Sequence, residues 1–323
     1  MKIFGFLKTI ALLLVVSVLF AGCGGAKKVP PPGEDFDKLL KEGISNFSDV
    51  KSADYSFSFE GDVNVDPAVV GIDDFSNFVV SSSFEGAYDF RDTDNLLFSL
   101  AMALGIKANG EEEYVEGEVR FVEDTLYFIL SELSDFGGEI QVEMVEAFIK
   151  QWWSIFIPSE FTEGLNEFLE DHELEEEEKT PEQKQLEELF EETDFFEDVK
   201  YLGAENVRGV SCHKYSATLD KEATLDYAIK VGEITGNIPS SEDVAEAREA
   251  LKKVDMEGLF WIGVDDETFR KFSGALVVKE LEGVSVNFSV NVEGYNLNEA
   301  VSVLVPEEST EFDLMMLLGG GGF

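Results

Sequence analysis

Apolar and polar residues alternate with a period of two along much of this chain, and the interruptions are as informative as the runs. Tyr55, Phe57, Phe59, Val63 and Val65 alternate with Asp54, Ser56, Ser58, Glu60, Asp62 and Asn64. This pattern predicts a strand with one face buried and the other in water. Gly61 falls on the apolar side, where a glycine marks a bulge or bend. Phe84, Gly86, Tyr88 and Phe90 continue in phase, followed by Phe98, Leu100, Met102, Leu104 and Ile106. The third run is backed by Ser99, Ala101, Ala103 and Gly105, small residues that permit close covering. Val115, Gly117, Val119 and Phe121 form a fourth run, and a Glu123-Asp124 turn leads to Leu126, Phe128 and Leu130. Strands at roughly 10–15-residue spacing with polar connections predict an antiparallel meander rather than βαβ units.

Elsewhere the period changes to that of a helix. Phe36, Leu39, Leu40, Ile44 and Phe47 predict one short amphipathic helix within Glu34 to Val50. From Glu143 to Phe156, Met144, Ala147, Phe148, Trp152 and Phe156 form a helical stripe with Trp153 beside it. The acidic segment that follows contains Glu175 to Glu178 and then Thr180-Pro181-Glu182-Gln183, the pattern of a capped helix start. Strands return at Val199 to Leu202 and at Ser211 to Leu219. Asp220 caps a helix from Lys221, and Ser240 or Ser241 caps another carrying Val244, Ala247 and Leu251. Gly258 to Ile262, Phe272 to Lys279 and Val284 to Val292 supply the remaining strands. Val301 to Pro306 is a short apolar stretch, and the tail holds an apolar pentad, four glycines and Phe323.

The beginning of the chain has a different layout. Lys2 and Lys8 precede a run from Ile10 to Phe20 that is apolar save for Ser17, and Ala21-Gly22-Cys23 follows. A charged head, an apolar stretch and a small-residue site make a secretory signal. The run is too short for a hydrocarbon core of ~30 Å, which needs about 20 apolar residues. Ala21-Gly22-Cys23 resembles a lipobox, which implies lipidation of Cys23 and cleavage before it. The expected organisation is a signal peptide over residues 1–22 and a lipidated cysteine with a proline-rich tether over 23–33. A single domain follows over 34–306, with an acidic helical insertion at about 157–198, and a tail over 307–323. The tether contains Pro30-Pro31-Pro32, a composition that favours an extended spacer.

Composition narrows the function classes. The chain has 323 residues, 44% of them apolar and 28 of them phenylalanine, enough for a large core without cross-links. Its formal net charge is −43, and loss of Lys2 and Lys8 with the signal takes it to −45. Such a surface repels phosphate backbones and anionic headgroups, which excludes nucleic acid as a partner and leaves anchoring to lipid on Cys23. Weakly held divalent cations fit the same acidity. Cys23 and Cys212 are the only cysteines, and His172 and His213 the only histidines. With Cys23 lipidated, Cys212 has no disulfide partner, and neither a bound metal nor a cofactor is expected. Gly209-Val210-Ser211-Cys212-His213 lacks the last glycine of a nucleophile elbow. Cys212 and His213, adjacent in a strand, point to opposite faces and form no dyad. No catalytic residue is therefore expected, and the chain does not read as an enzyme.

The order of elements also resembles a family. The lipobox and short helix, then Lys51-Ser52-Ala53-Asp54-Tyr55-Ser56-Phe57 opening a meander, are similar to the LolA-like lipoproteins, including the mycobacterial LppX/LprG group. Asn206 to Tyr215 resembles their glycine-centred strand pair, and Gly258-Leu259-Phe260-Trp261-Ile262-Gly263-Val264-Asp265 resembles their Gly-x-x-Trp-Ile strand. The resemblance implies an α+β fold: a strongly curved antiparallel sheet, an open half-barrel, with helices packed on its concave side. It also implies acyl chains or lipoprotein lipids held between sheet and helices. On that reading Tyr55, Phe57 and Phe59 line the sheet wall, and Phe148, Trp152, Trp153 and Phe156 the helix wall. The expected protein is a lipid-binding lipoprotein of a bacterial cell envelope, on the outer side of the cytoplasmic membrane or on the outer membrane. The alternative is a sensor or interaction domain of the same fold in which these aromatics are ordinary core.

Overall fold

The computed structural model describes residues 36–66, 77–92, 95–108, 111–134, 149–157, 180–281 and 283–312. The signal, Cys23 and the tether lie outside these residues, as do Phe148 and the apolar pentad. The chain forms two compact units that interleave in sequence. Unit 1 comprises Met1–Val50, Gly61–Ser76 and Lys179–Glu293, and unit 2 comprises Lys51–Glu60, Asn77–Glu178 and Gly294–Phe323.

Unit 2 carries β1 (Ser52–Val65, as far as Glu60), β2 (Asn77–Asp89), β3 (Leu97–Ala108), β4 (Glu111–Val122), β5 (Thr125–Leu133), β6 (Trp153–Phe156) and β12 (Thr310–Glu311). The order is β12-β6-β5-β4-β3-β2-β1; β2 to β6 pair antiparallel in succession, and β12 runs parallel to β6. The meander follows the predicted alternation closely, because each pairing joins neighbours in sequence.

The predicted helix from Glu143 to Phe156 is not present in its described part. Ile149 makes an isolated parallel bridge with Leu130, Lys150 turns the chain at φ 63°, and Trp153–Phe156 is strand β6 against β5. Trp153 and Ile155 alternate with Ser154 and Phe156, so the same residues satisfy period two. Aromatic and β-branched side chains favour the pleated surface, and pairing along the open edge of β5 decides between the two readings.

Unit 1 carries α1 (Phe36–Ser48), the end of β1, α2 (Pro181–Glu192), β7 (Phe196–Val207), β8 (Val210–Leu219), α3 (Lys221–Ile234), α4 (Ser241–Leu251), β9 (Val254–Gly263), β10 (Phe269–Leu281) and β11 (Val284–Tyr295). Its strands run in the order β1-β11-β10-β9-β8-β7. The ends of the full order, β12 and β7, are different strands, so the sheet is open. The α+β class and the open antiparallel sheet expected from the sequence are both present.

The helix starts are where capping chemistry placed them. Thr180 Oγ1 accepts from the Gln183 N–H at 3.2 Å while the Thr180 N–H donates to Gln183 Oε1 at 2.8 Å, a complete capping box. Asp220 accepts the Ala223 N–H at 2.9 Å, and Ser240 exchanges bonds with Asp243 at the start of α4.

The core of unit 1 lies under α1. Phe36, Leu39 and Leu40 present one helical face to Tyr215 and Ala217 of β8 and to Phe260 and Ile262 of β9. Gly258 and Gly274 stand directly opposite each other on β9 and β10, and the Phe272 ring lies over both. A Cβ on Gly274 would stand 2.3 Å from that ring, so the pair gives the aromatics room to lie flat on the sheet.

The polar residues of α1 also have work in the core. Asp37 accepts the Phe195 N–H at 2.9 Å, and Lys41 Nζ donates to the carbonyls of Glu191 and Thr193 at 2.8 Å each. A cation on the last carbonyls of α2 satisfies groups that the helix leaves unpaired.

Candidate functional site

The registers of unit 2 sort its side chains into two faces of opposite character. One row across the strands reads Phe84, Met102, Gly117, Leu130. The next reads Gly86, Leu100, Val119, Phe128, Trp153, and a third reads Tyr88, Phe98, Phe121, Leu126, Ile155. Phe57 packs on Phe84 at 5.7 Å and Tyr55 on Tyr88 at 6.3 Å, so β1 adds its aromatic alternation set to the same face. Every residue of these rows is half-buried. Towards the β3–β4 hairpin the face opens further, with Leu104 and Ile106 40% and 45% exposed. Glu113, opposite Ile106, ends the apolar strip with a charge.

Polar atoms on this face are few, and the Tyr55 hydroxyl has a backbone partner. Tyr55 lies over Gly86 and donates its hydroxyl to the Ser99 carbonyl at 3.3 Å. Burial holds both phenols above their ordinary range, and the neighbouring Tyr88 adds to the effect at Tyr55. Both are neutral hydroxyls at physiological pH, suited to an apolar wall.

The other face carries Ser81, Ser83 and Glu85 on β2, Ala101 and Ala103 on β3, and Glu116, Glu118 and Arg120 on β4. The segment after β11 ties itself to this side. The Asn298 N–H donates to the Ser52 carbonyl at 2.7 Å, Ser52 Oγ to the Glu299 carbonyl at 2.7 Å, and Arg120 to the Leu304 carbonyl at 2.8 Å. Arg91 joins Asn298 at 3.2 Å and forms an ion pair with Asp89, holding that carboxyl below its usual range.

The residues expected to line a cavity are therefore divided. Tyr55, Phe57, Phe59 and Trp153 belong to the apolar alternation set. Trp152 instead stacks on the Arg120 guanidinium, 4.6 Å from the ring centre, on the polar side. Phe156 pairs with Thr125, shares the parity of Ser154 and is 65% exposed. Phe148 lies outside the described residues. Sequence reasoning left out Leu100, Val119 and Phe128, although the same alternation marks them, and also Phe312. The Phe312 ring meets Phe128 and Trp153 at 5.6 Å each, in edge-to-face contacts on the apolar side.

Unit 1 separates the two residues of the rejected dyad. Cys212 is fully buried against Val207 and Trp261, whereas His213 Nδ1 lies 3.2 Å from the Tyr201 hydroxyl on the other face. Burial pushes the Cys212 thiol up to about 11. The thiolate is the reactive form, so at pH 8 about a thousandth of the folded protein carries it. In full-length chain with Cys23→Ser, alkylation of Cys212 by iodoacetamide at pH 8 is expected to run at least about a hundredfold slower than in urea. Equal rates in the two conditions would show that the β7–β8 hairpin does not enclose the thiol.

Among the described residues no group of three or more His, Cys, Asp or Glu side chains is arranged to hold a metal ion. No described helix is long and apolar enough to cross a membrane.

No protein-family model matches the chain, and no curated protein matches it. Among solved structures it is similar to the Mycobacterium tuberculosis lipoprotein LppX, at 14% identity over 84% of this chain and 100% of that one, with a TM-score of 0.30. It is also similar to LprF from Mycobacterium bovis, at 12% identity over 84% of this chain and 96% of that one, with a TM-score of 0.31.

Proposed function

We propose that this chain is a lipid-anchored protein of a bacterial envelope that holds a hydrophobic ligand bearing acyl chains against the apolar face of β1–β6, without catalysis. The observation that carries the reading is the contrast between the two units' apolar surfaces. In unit 1 the face of β8 and β9 is filled by Phe36, Leu39 and Leu40 of α1 and reaches full burial at Ile262. In unit 2 all four described helices are absent from the unit, and the aromatic and aliphatic rows stay half-buried.

Hydrocarbon laid on such rows leaves water at about 25 cal/mol for each Å² of apolar area and requires no polar partner. Contiguous apolar surface of this kind marks a binding face. The strongly acidic body does not adhere to anionic headgroups by charge, which fits attachment through Cys23 and leaves room for weakly held divalent cations.

The test uses the full-length chain. Cys23→Ser should move it from the membrane to the soluble fraction, and solvent extraction of that protein should release lipid detectable by mass spectrometry. A fluorescent fatty acid should bind saturably. Leu100→Asp should weaken that binding about tenfold or more, since a charge among dry contacts costs over 1.4 kcal/mol. Ala101→Asp, on the opposite face, should leave it unchanged. Absence of both extracted lipid and saturable binding would leave an interaction domain in place of a carrier.

A further inference from the structure

We infer that the polar side of the unit 2 sheet, opposite the proposed ligand face, carries a docking surface for a basic amphipathic segment of another polypeptide. The inference does not depend on the ligand reading, because it concerns the other side of the strands.

It starts from two aromatics that the apolar face does not use. Trp152 stacks on Arg120, and Phe156 shares its parity, so both rings lie on the polar side. Four residues of extended chain set them up to about 14 Å apart. Tyr127, opposite both Arg120 and Ser154, stands between them on the same side. The chain after β11 adds the rest. Hydrogen bonds of 2.7–2.9 Å fasten its backbone at Asn298, Glu299, Leu304, Thr310 and Phe312. Leu304 is nonetheless 70% exposed, with Val305 exposed beside it. A loose end exposes aliphatic side chains anywhere, whereas a chain fastened at these points exposes them at a set place. Arg120 fixes that place, since it donates to the Leu304 carbonyl and lies on the Trp152 ring.

Aromatic residues and arginine are the types enriched where proteins bind one another, and an exposed apolar patch with a polar rim marks such a place. The rim here selects the partner. Glu118 pairs with Arg120 at 2.6 Å. The Glu123-Asp124 turn lies next to Phe156, where the Ile157 N–H donates to the Asp124 carbonyl at 2.8 Å. Glu307 and Glu308, both exposed, follow Leu304 and Val305.

Charge decides among occupants. A second copy brings the same acidic rim and a net charge of −43, and an anionic bilayer is repelled for the same reason. A segment with leucine or phenylalanine flanked by Lys and Arg meets the apolar centre and the rim together. In helical form about ten residues span the patch, at 1.5 Å each.

The experiment titrates full-length chain with Cys23→Ser into a fluorescein-labelled peptide of about 14 leucines and lysines at helical spacing, at about 0.15 M salt. Binding should saturate, and Phe156→Asp/Leu304→Asp should weaken it about tenfold or more. Leu104→Asp/Ile106→Asp, which adds the same charge at exposed positions on the ligand face, should not weaken it. Added carboxylates alone strengthen the pull on a cationic peptide, so a loss confined to the first variant reads the apolar contact. Both of its positions are exposed, so its urea midpoint and its affinity for a fluorescent fatty acid should stay unchanged. No peptide binding, or the same response from both variants, would overturn the inference. So would phosphatidylcholine vesicle binding or self-association that the first variant abolishes in a protein that ignores the peptide. Absence of fatty-acid binding in every protein would remove the carrier reading and leave a patch-dependent peptide result standing.

Discussion

Phe260→Ala is expected to destabilise unit 1 by about 3–5 kcal/mol, the usual range for removing a large buried aromatic. Its ring is 4% exposed and stands at 5.2 Å from Phe36, 5.1 Å from Phe196 and 5.1 Å from Phe272. Two of these contacts are edge-to-face, an arrangement worth about 0.5–1.5 kcal/mol beyond area burial. The site is also poorly able to collapse. Gly258 offers no side chain to fill the void, and α1 is held from moving inward by Lys41 and Asp37 at the end of α2. Urea denaturation should show the midpoint falling by about 1–2 M, given a slope of about 3 kcal/mol per M, the upper end of the usual range, as suits a chain of this size. Trp152→Ala is the informative comparison. That ring is half-buried on Arg120, and an exposed cation–π contact is worth only about 0.5–1 kcal/mol. If the two substitutions cost the same, the core under α1 is not the principal packing of unit 1.

That comparison also marks where sequence reading succeeds and where it stops. Alternation is a local signal, and in β1 to β5 each strand pairs with a sequence neighbour, so local signal and tertiary pairing agree. Caps are local too, and Thr180, Asp220 and Ser240 each begin the helix that their chemistry predicts. β6 is the failure. Trp152, Trp153 and Phe156 fit a helical stripe and a short strand equally, and the deciding contact is the β5 edge, which no spacing within 143–156 reveals. The consequence reaches the site. A helix would have placed Trp152 with Trp153, but the pleat sends neighbouring side chains to opposite faces, so Trp152 goes to Arg120 and Trp153 to Phe128. Tyr55, Phe57 and Phe59 lie together on one side of β1 because that side is set by alternation alone. Phe312 was illegible for the opposite reason: its place depends on the chain returning to β6 from β11, a contact more than 150 positions apart in sequence.

Gly86→Ala is expected to cost about 1–3 kcal/mol, the range for overpacking a close-packed contact, although alanine is ordinarily the better residue in a strand. A Cβ at this position would stand 2.1 Å from the Ser99 carbonyl oxygen and 2.7 Å from the Tyr55 hydroxyl. Neither neighbour can yield cheaply. Ser99 is backbone in the β2–β3 ladder, opposite Ala87, so relief there separates paired strands. The Tyr55 ring reaches that same carbonyl across the glycine, and lifting it gives up a hydrogen bond worth about 0.5–1.5 kcal/mol. Against these losses alanine offers only about 0.4–1 kcal/mol from a less flexible unfolded chain. Gly105→Ala tests whether the geometry, and not glycine in a strand as such, is responsible. Its added Cβ would crowd the Ser81 hydroxyl at 2.7 Å, the free end of a side chain that can rotate away into water, and would stand at ordinary contact distance, 3.9 Å, from the Glu113 carbonyl. Gly105→Ala should therefore shift stability by no more than about 0.5 kcal/mol, the range of ordinary surface substitutions. Tyr55→Leu combined with Gly86→Ala should recover part of the loss by removing the ring, while the clash with the Ser99 carbonyl persists. Thermal or urea unfolding of the three variants decides the matter. Equal tolerance at Gly86 and Gly105 would mean that Tyr55 does not lie across β2, and the aromatic wall of the proposed ligand face would lose its first member.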